Sequence, residues 1–314
     1  MNYTIQQLNY LIALDIHRNF SKAADHCFVS QPTLSMQIKK LENDLDVVII
    51  DRSKQPLRFT EVGQKIVEQA RQAIDELKVI DDIILEEKGE VAGRLSVGII
   101  PTLAPYLIPL FLGSFLKRFP KVELTLTEYK TDEIIDKLQH ENLDVGILST
   151  PLDATGITEN PLFFEKMLLY PHPDLAERYG NRVSIDEILE DKLWVLSEGN
   201  CFRNQTFNLC SLDQTEFRGL DVNYESGSIE TLMRLVEKEG GSTIIPELAL
   251  DALSDERMDR VKFIGEQNPV REISTVTRRS GLKANLIQAL RKEILEVLPK
   301  AVRENNDNKT IIAI

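Results

Sequence analysis

The side chains of this chain with the greatest chemical reactivity are its three cysteines, Cys27, Cys201 and Cys210. A cysteine thiolate can attack an oxidant to give a sulfenic acid, which a second cysteine can convert into a disulfide. The nine-position spacing between Cys201 and Cys210 permits this chemistry, but it also suits two buried thiols that only pack. We expect Cys27 to be a core residue on the packed side of a short helix. Spacing alone therefore leaves redox chemistry and packing open.

Motifs of the common enzyme classes do not occur in the sequence. It contains no P-loop, no GxGxxG after a strand, no HExxH and no CxxC. The four histidines, at positions 17, 26, 140 and 172, are scattered, and two of them lie near the N-terminus. We therefore predict that the chain is not an enzyme and that it uses no metal and no cofactor.

Charge is distributed unevenly along the 314 residues, whose net charge is -13. Residues 1–60 hold seven Lys or Arg against six Asp or Glu, so this segment is slightly basic and the remainder is strongly acidic. DNA repels an acidic body, so any contact with DNA must come from the N-terminal segment.

The composition also bears on the cellular compartment. Three cysteines are too few for a secreted disulfide scaffold of this length, and the N-terminus lacks the pattern of a secretory signal. No apolar run approaches the ~20 residues that a helix needs to cross a bilayer. These features predict a cytoplasmic protein with no membrane contact.

The first sixty residues have the pattern of a helix-turn-helix. Apolar residues at helical spacing predict a first helix over residues 4–18, with Thr4 as its N-cap. A second helix, KAADHC, is expected after the cap Ser21, and a third, PTLSMQIKKLENDL, after the cap Ser30 with Pro32 in its first turn. The segment DRSKQPLRFT then predicts a small β-wing. The alternative is a three-helix module whose polar face is only solvated.

Polar side chains near the start of the third helix suit the major groove of double-stranded DNA. Short donors and acceptors there can reach base edges and phosphates, and basic residues farther along, Lys54 included, can neutralise phosphates. The predicted DNA-binding residues are Ser30, Gln31, Pro32, Thr33, Ser35, Gln37, Lys39, Lys40, Arg52 and Arg58.

Residues 61–90 have the pattern of one continuous helix with nearly heptad apolar spacing. The apolar residues are Val62, Ile66, Ala70, Ala73, Leu77, Ile80 and Ile84. Pairing of this helix with a second copy predicts a dimer, whose twofold axis would match a palindromic DNA site. Packing of the helix on its own body is the alternative.

Beyond residue 93, strand-like and helix-like segments alternate, which predicts an α/β sheet with a ligand crevice at the carboxyl ends of its strands. A βαβαβ run is expected from RLSVGII, VELTLTEY and LDVGILST, and later strands from KLWVLSEG, VNYES, STIIP and REISTVTRR. The tail AVRENNDNKTIIAI is expected to be loose.

The segment SKAADHCFVSQPTLSMQIKKLENDLDVVIIDR resembles the DNA-binding signature of LysR-type regulators, and the resemblance extends along the whole chain. It implies an α/β protein with a winged helix-turn-helix (1–60), a linker dimerisation helix (61–90) and a periplasmic-binding-protein-like sensor of two α/β subdomains (91–314). Subdomain one is expected at about 94–168 and 268–300, and subdomain two at about 169–267. The implied partners are double-stranded DNA, RNA polymerase and further copies of the chain, as a homodimer or homotetramer.

Within that family the chain is similar to the peroxide-sensing branch, through IPTLAPYLIP, FPKVEL, EYKT, GNCFRNQTFNLC and SIETLMRLVEKEGGSTIIP. The resemblance implies an activator of antioxidant genes in oxidative stress, with hydrogen peroxide as effector. It places Cys201 at the peroxide-reacting cysteine and Cys210 at its resolving partner, joined in a redox-active disulfide. The implied peroxide pocket contains Thr102, Thr131, Asn200, Arg203 and Gln205. The chain departs from the pattern at Asn200 and near Asn223, where familiar members have histidines.

The resemblance has consequences that elementary geometry can extend. A thiol at a helix N-terminus with Arg203 nearby is expected to have a lowered pKa. If residues 201–210 are helical, nine steps of ~1.5 Å separate the two Cα atoms by ~13 Å, whereas a disulfide tolerates no more than ~7 Å. Forming the disulfide must then refold the segment, so we predict a reorganised 201–226 region and a shifted dimer contact.

A LysR-type regulator that senses a small metabolite in the same crevice is the alternative. Thr102, at the start of the first helix of the sensor, suits a carboxylate ligand through its hydroxyl and the helix N-terminal amides. A metabolite sensor would be indifferent to replacement of Cys201 by serine, whereas a peroxide sensor would lose its response.

Overall fold

The computed structural model describes residues 3–51, 57–140, 143–152, 154–211, 227–278, 283–303 and 309–312. The chain divides into two compact units, Met1–Ile84 and Leu85–Ile314. Each unit has its own cluster of buried apolar side chains. The division falls inside the helix predicted as a linker, so most of that helix belongs to the first unit.

Three helices open the first unit: α1 (Ile5–His17), α2 (Phe20–His26) and α3 (Gln31–Leu45). Thr4 caps α1 as predicted, since its Oγ1 accepts the Gln7 N–H at 3.3 Å and the Gln7 side chain accepts the Thr4 N–H at 2.8 Å. Ser30 caps α3 in the same way, accepting the Thr33 N–H at 3.3 Å. The three helices of the motif therefore begin at polar side chains that satisfy their free amides.

The prediction that Ser21 caps α2 is wrong. Asn19 Oδ1 accepts the Lys22 N–H at 3.0 Å, and the helix begins at Phe20, before the serine. Both residue types cap helices well, so the sequence pattern offered two candidates two positions apart and the tertiary structure selected the earlier one.

The predicted wing is present as an antiparallel pair, β1 (Ile50–Asp51) and β2 (Arg58–Phe59). Glu42, on α3, accepts the Ile49 and Ile50 N–H groups at 2.9 and 3.1 Å. This carboxylate ties the wing to the helix that precedes it.

The long helix α4 (Glu61–Glu87) follows the wing directly. Thr60 Oγ1 accepts the Gly63 N–H at 2.9 Å and so satisfies an amide of the first turn. Gly63 has no room for a side chain, because a Cβ there would lie 2.1 Å from the carbonyl oxygen of Ile49. A glycine at this position lets α4 start in contact with the wing.

The βαβαβ run predicted after residue 93 is confirmed. Its elements are β3 (Gly93–Ile99), α5 (Ala104–Arg118), β4 (Val122–Glu128), α6 (Thr131–Gln139) and β5 (Val145–Thr150). The three strands are parallel in the order β4-β3-β5, and the middle of this sheet is apolar and buried.

The rest of the second unit alternates shorter elements around two long strands. In chain order they are β6 (Ile157–Pro171), α7 (Pro173–Arg178), β7 (Arg182–Val183), α8 (Ile185–Glu190), β8 (Leu193–Trp194), α9 (Cys201–Cys210), α10 (Ile229–Glu239), β9 (Ser242–Pro246), a 3-10 helix (Glu247–Ala252), α11 (Asp255–Met258), β10 (Lys262–Ile264), β11 (Asn268–Arg278), α12 (Ala284–Val297), α13 (Lys300–Arg303) and β12 (Lys309–Ile311).

Strands β6 and β11 join the two parts of this α/β unit. Residues 157–166 of β6 pair antiparallel with β11, whereas residues 167–171 pair with β9. Strand β11 in turn pairs with β5, so the sheet order runs β4-β3-β5-β11-β6 and continues into β10 and β7. The predicted α/β fold with two linked sheet regions is confirmed, and the chain passes between the regions along these two strands.

The expectation of a loose C-terminal tail is wrong for its described residues. Strand β12 pairs in parallel with β11, from Asn268 opposite Lys309 to Val270 opposite Ile311, and the Ile312 side chain is buried. The polar residues before β12 hid the sequence pattern of this three-residue strand, which pairs with β11. Across the described part of the chain, none of the helices is both long and apolar enough to cross a membrane.

Candidate functional site

Helix α9 carries Cys201 at its first position and Cys210 at its last, and both thiols are free. The helix follows a turn at Gly199, whose φ of +81° is a conformation that side-chain-bearing residues rarely adopt. Asn200 occupies the N-cap but does not cap the helix with its side chain. Its amide donates instead to the Ser197 carbonyl oxygen at 3.0 Å. The segment between the cysteines is thus helical, which is the condition from which the disulfide argument started.

The Cys201 thiol is enclosed, with the residue only 6% exposed. Burial raises the pKa of this thiol, and the charge of Arg271 is the largest influence that opposes the rise. The Thr131 hydroxyl and backbone amides at the start of α9 also favour the thiolate. The prediction of a lowered pKa is therefore wrong for this conformation, because desolvation outweighs the helix N-terminus and the nearby cation.

Arg271, on β11, is the described cation with the largest effect on Cys201, and no sequence pattern marked it. Its side chain is fully buried, its Nε donates to Glu165 Oε1 at 2.7 Å, and its Nη2 lies 2.5 Å from the same oxygen. Arg271 Nη1 also donates to Thr102 Oγ1 at 3.0 Å. The guanidinium lies 4.7 Å from the centre of the Phe202 ring, next to Cys201 in the chain. Burial raises the pKa of Glu165, and Arg271 is the main influence that opposes this rise.

The structure divides the five predicted pocket residues into two groups. Thr102 and Thr131 do approach the environment of Cys201, one through Arg271 and the other directly. The Oγ1 atom of Thr131 is buried beside the Cys201 thiol and has no other hydrogen-bond partner among the described residues, so it can donate to the thiolate or to a ligand there. Asn200 adjoins Cys201 but points its amide at Ser197.

Arg203 and Gln205 have other contacts. The Arg203 guanidinium lies 4.5 Å from the centre of the Phe207 ring on the same helix. Gln205 is fully buried and its Nε2 donates to Ser149 Oγ and to the Ile312 carbonyl oxygen, both at 3.0 Å. The charge expected from Arg203 is supplied by Arg271, and Gln205 anchors α9 to β5 and to the end of β12.

Cys210 lies in a different environment at the other end of α9. It is buried among apolar residues, and this burial raises the pKa of its thiol to about 11. No described cation or hydroxyl lowers this pKa, so Cys210 stays protonated at neutral pH in this conformation. The two thiols are therefore unequal, with thiolate-favouring groups at Cys201 only.

The predicted DNA-binding residues form a second candidate site in the first unit. Gln31, Pro32, Lys39, Lys40 and Arg58 are exposed. Thr33, Ser35 and Gln37 are half-buried; the Thr33 hydroxyl pairs with Ser30 Oγ at 2.8 Å, and Gln37 Oε1 accepts from Gln7 Nε2 at 3.3 Å. Arg52 lies outside the described residues, as do Lys54 and Asn223.

Two exposed apolar side chains lie in the same part of the chain and were not among the predicted DNA-binding residues. Phe28 is 96% exposed in the turn before α3 and has a φ of +55°, which is uncommon for a bulky residue. Met36, on α3, is also exposed. Apolar groups next to a recognition helix can contact thymine methyl groups, so both are further candidates for DNA contact. Cys27, expected in the core, is half-buried and packs against the core of the first unit.

The titratable groups offer no metal centre in the part of the chain that the structure describes, where no cluster of His, Cys, Asp and Glu could hold an ion. Around Cys201 the charged residues pair with each other, as Arg271 does with Glu165. The nucleophilic side chain at this site is the Cys201 thiol.

Two family models match the chain in succession. Residues 5–64 match the bacterial regulatory helix-turn-helix protein of the lysR family, and residues 88–299 match the LysR substrate binding domain. The matches cover the two units of the structure, including α3 in the first and α9 in the second.

Individual relatives align over most of their length. The chain is 37% identical over 246 residues to a hydrogen peroxide-inducible genes activator of Dickeya chrysanthemi, covering 78% of this chain and 80% of the relative. It is 35% identical to the DNA-binding transcriptional dual regulator OxyR of Escherichia coli, covering 87% and 89%. Among solved structures, a cysteine-to-aspartate variant of full-length OxyR from Pseudomonas aeruginosa superposes with a TM-score of 0.63 at 32% identity, covering 93% and 97%.

Proposed function

Because the chain belongs to the LysR family of bacterial regulators, we propose that it is a DNA-binding transcription regulator of antioxidant genes that responds to hydrogen peroxide. The observation that carries this proposal is the arrangement of α9. One helix holds both cysteines, and only Cys201 has a cation and a hydroxyl that favour its thiolate. A regulator switched by peroxide needs such a reactive thiol and a second thiol within the same refolding segment.

The proposed reaction has two balanced steps. The Cys201 thiolate attacks one oxygen of hydrogen peroxide, the O–O bond breaks, and hydroxide leaves as the thiolate becomes a sulfenic acid. The Cys210 thiol then attacks the Cys201 sulfur, a disulfide forms and water leaves. Thr131 Oγ1 is placed to donate a hydrogen bond to the peroxide or to the leaving oxygen. Asn200 supplies an amide that does not titrate where relatives of the peroxide-sensing branch have a histidine.

The second step requires α9 to lose its helical form. Its ten residues place the two Cα atoms ~13 Å apart, beyond the ~7 Å that a disulfide spans. Refolding would break the bonds from Gln205 to Ser149 and Ile312. The oxidised protein would therefore differ from the reduced one in the 201–226 region and in a dimer contact, and that difference would alter DNA binding.

The partners form part of the same proposal. Double-stranded DNA would bind the exposed face of α3 and the wing, in the cytoplasm where the chromosome lies and thiols start reduced. Apolar residues on α4 are exposed, among them Leu77, Ile80 and Ile84. Pairing of this helix with a second copy would cover them and give the homodimer or homotetramer. As an activator rather than an enzyme, the protein would act through RNA polymerase.

The decisive experiment follows the thiols by mass spectrometry after one equivalent of hydrogen peroxide. We expect a Cys201–Cys210 disulfide within seconds in the reduced wild-type protein and none in Cys201→Ser. Cys27→Ser is the matched control, since it removes a thiol of the other unit and should leave the disulfide intact. Free thiols that persist in excess peroxide would contradict the proposal.

A metabolite sensor remains the second candidate, since Thr102 lies at the start of α5 in the predicted crevice. However, Arg271 beside it already has a carboxylate partner in Glu165, which argues against a carboxylate effector at this point. DNA affinity that does not change with oxidant in the wild type, and that is the same in Cys201→Ser, would favour this candidate.

A further inference from the structure

We infer that Glu165 sets how readily Cys201 reacts, because it holds the Arg271 guanidinium beside the first turn of α9 and also offsets the positive charge of Arg271. The inference rests on the proposed function for its biological meaning. Its physical content is narrower, because it concerns one buried ion pair and one thiol.

Among the described residues, Arg271 is the cation that most favours the Cys201 thiolate. The thiol is enclosed, and no charge opposes its desolvation more strongly than that of Arg271. A guanidinium that moved by an ångström or two in this low-dielectric interior would change its interaction with the thiolate substantially. The position of Arg271 therefore affects the fraction of Cys201 that is ionised.

Glu165 holds Arg271 in that position. Both side chains are fully buried, and two guanidinium nitrogens, Nε and Nη2, contact the single oxygen Oε1 at 2.7 and 2.5 Å. The other carboxylate oxygen, Oε2, accepts the Leu248 N–H at 3.3 Å, so the carboxylate is itself fixed by the backbone. The opposite side of the guanidinium meets Thr102 and the Phe202 ring. Arg271 is thus clamped between the β6 carboxylate and the start of α9.

The negative charge of Glu165 also affects Cys201. Glu165 neutralises the cation that favours the thiolate, so the carboxylate has two opposed effects on Cys201: it orients Arg271 and it weakens the field of Arg271. Glutamine at position 165 keeps the shape and one acceptor oxygen but removes the negative charge. Arg271 would then remain in place without compensation, and the thiolate would become more favourable.

Other titratable groups surround the pair and define the control. Tyr106, on α5, donates to Glu230 Oε1 on α10 at 3.1 Å, and Glu247 follows β9. Glu247 is buried and its charge acts on Glu165. Its Oε1 accepts from Lys166 Nζ at 2.7 Å and does not bind Arg271. Glu247→Gln therefore removes a neighbouring buried charge without touching the Arg271 clamp.

The test is the pH profile of Cys201 alkylation by iodoacetamide in the full-length reduced protein, read from the Cys201 peptide by mass spectrometry. At an iodoacetamide concentration low enough that opening and closing are faster than alkylation, the midpoint reports the ionisation of the thiol. We expect a lower midpoint in Glu165→Gln, with alkylation at neutral pH faster by about threefold to tenfold. The midpoint of Glu247→Gln should equal that of the wild type.

An unchanged midpoint in Glu165→Gln, or an equal shift in both variants, overturns the inference, because Glu165 would then be only structural or one of several charges. If Glu165→Gln does not fold, Glu165→Asp keeps the charge but withdraws the carboxylate, and a wild-type midpoint in that variant also overturns it. Failure of the proposed function looks different: Cys201 would form no disulfide with peroxide, while the difference between Glu165→Gln and Glu247→Gln would persist.

Discussion

At the scale of single residues, burial and charge give the thiols of Cys201 and Cys210 different tendencies to ionise. Both have a raised pKa, but Cys201 has Arg271 and Thr131 beside it, whereas Cys210 packs in the apolar core and no described cation or hydroxyl lowers its pKa. A nucleophile needs the thiolate, whereas a resolving thiol has to remain reduced until the first has reacted. Burial in the reduced conformation would therefore keep Cys210 unreactive until the proposed refolding of α9.

The burial of Cys210 predicts a dependence of stability on pH. The pKa of its thiol is about 11 in the folded protein against 9.0 for an ordinary thiol, so the folded state retains a proton that the unfolded state loses. The stabilisation is complete below pH 9 and disappears as the pH rises through 11. It amounts to about 2–3 kcal/mol.

Urea unfolding of the reduced protein between pH 8 and 11 measures this effect, with Cys210→Ser as the reference because serine does not titrate there. We expect the free-energy difference between wild type and variant to shrink by about 2–3 kcal/mol over that range. Cys201 is present in both proteins and cancels. A difference that stays constant with pH would show that Cys210 is solvated in the folded state.

At the scale of elements, α9 and β12 are joined through one buried side chain. Gln205 donates to the Ile312 carbonyl oxygen just beyond β12 and to Ser149 at the end of β5. Its own Oε1 has no partner among the described residues, so the side chain is not fully satisfied even in this conformation. These contacts stabilise the helix only in part, and the proposed refolding of α9 requires such limited local stability.

Replacement of Gln205 by alanine should loosen both elements. The change removes two buried hydrogen bonds, which we expect to cost about 1–3 kcal/mol, and to raise hydrogen exchange at residues 201–210 and 309–312 together. Asn208→Ala, at an exposed position of the same helix, is the matched control and should not affect the tail. Faster exchange in α9 with an unchanged tail would show that the two are not coupled.

At the scale of the whole molecule, the proposal requires a second copy of the chain. Within the first unit α4 buries Val67, Ala70 and Ile74, but other apolar residues along it stay exposed. Besides the apolar residues that pack in its own unit, the helix thus has exposed apolar residues, which we propose pack against a partner. A paired linker would also give the twofold symmetry that a palindromic DNA site demands.

Placing a charge on the exposed face of α4 tests this assembly. Ile80, 56% exposed, becomes a buried charge upon pairing if it is replaced by glutamate, so Ile80→Glu should weaken dimerisation by about tenfold or more. Gln72→Glu adds the same charge at an exposed polar position of the helix and should leave the dimer intact. Sedimentation velocity over a range of concentrations separates the two outcomes, and equal dissociation constants would exclude α4 as the interface.

The sequence by itself determined the features that depend on neighbouring residues. Helix caps such as Thr4 and Ser30, the alternation of strands and helices after residue 93, and the helical segment from Cys201 to Cys210 all follow from local patterns. The reason is that capping, turn formation and amphipathic spacing involve atoms only a few residues apart. The family resemblance extended these patterns to the fold and to the function of the chain.

Only the tertiary structure decided the environment of the reactive thiol. Glu165 and Arg271 are 106 positions apart and meet because β6 pairs with β11, and no sequence pattern marks such a pair. The long strand β6 and the tail strand β12 likewise exist because distant partners complete their hydrogen bonds. The thiol pKa expected from the helix N-terminus failed for the same physical reason: desolvation depends on everything that surrounds a group, which the chain order does not contain.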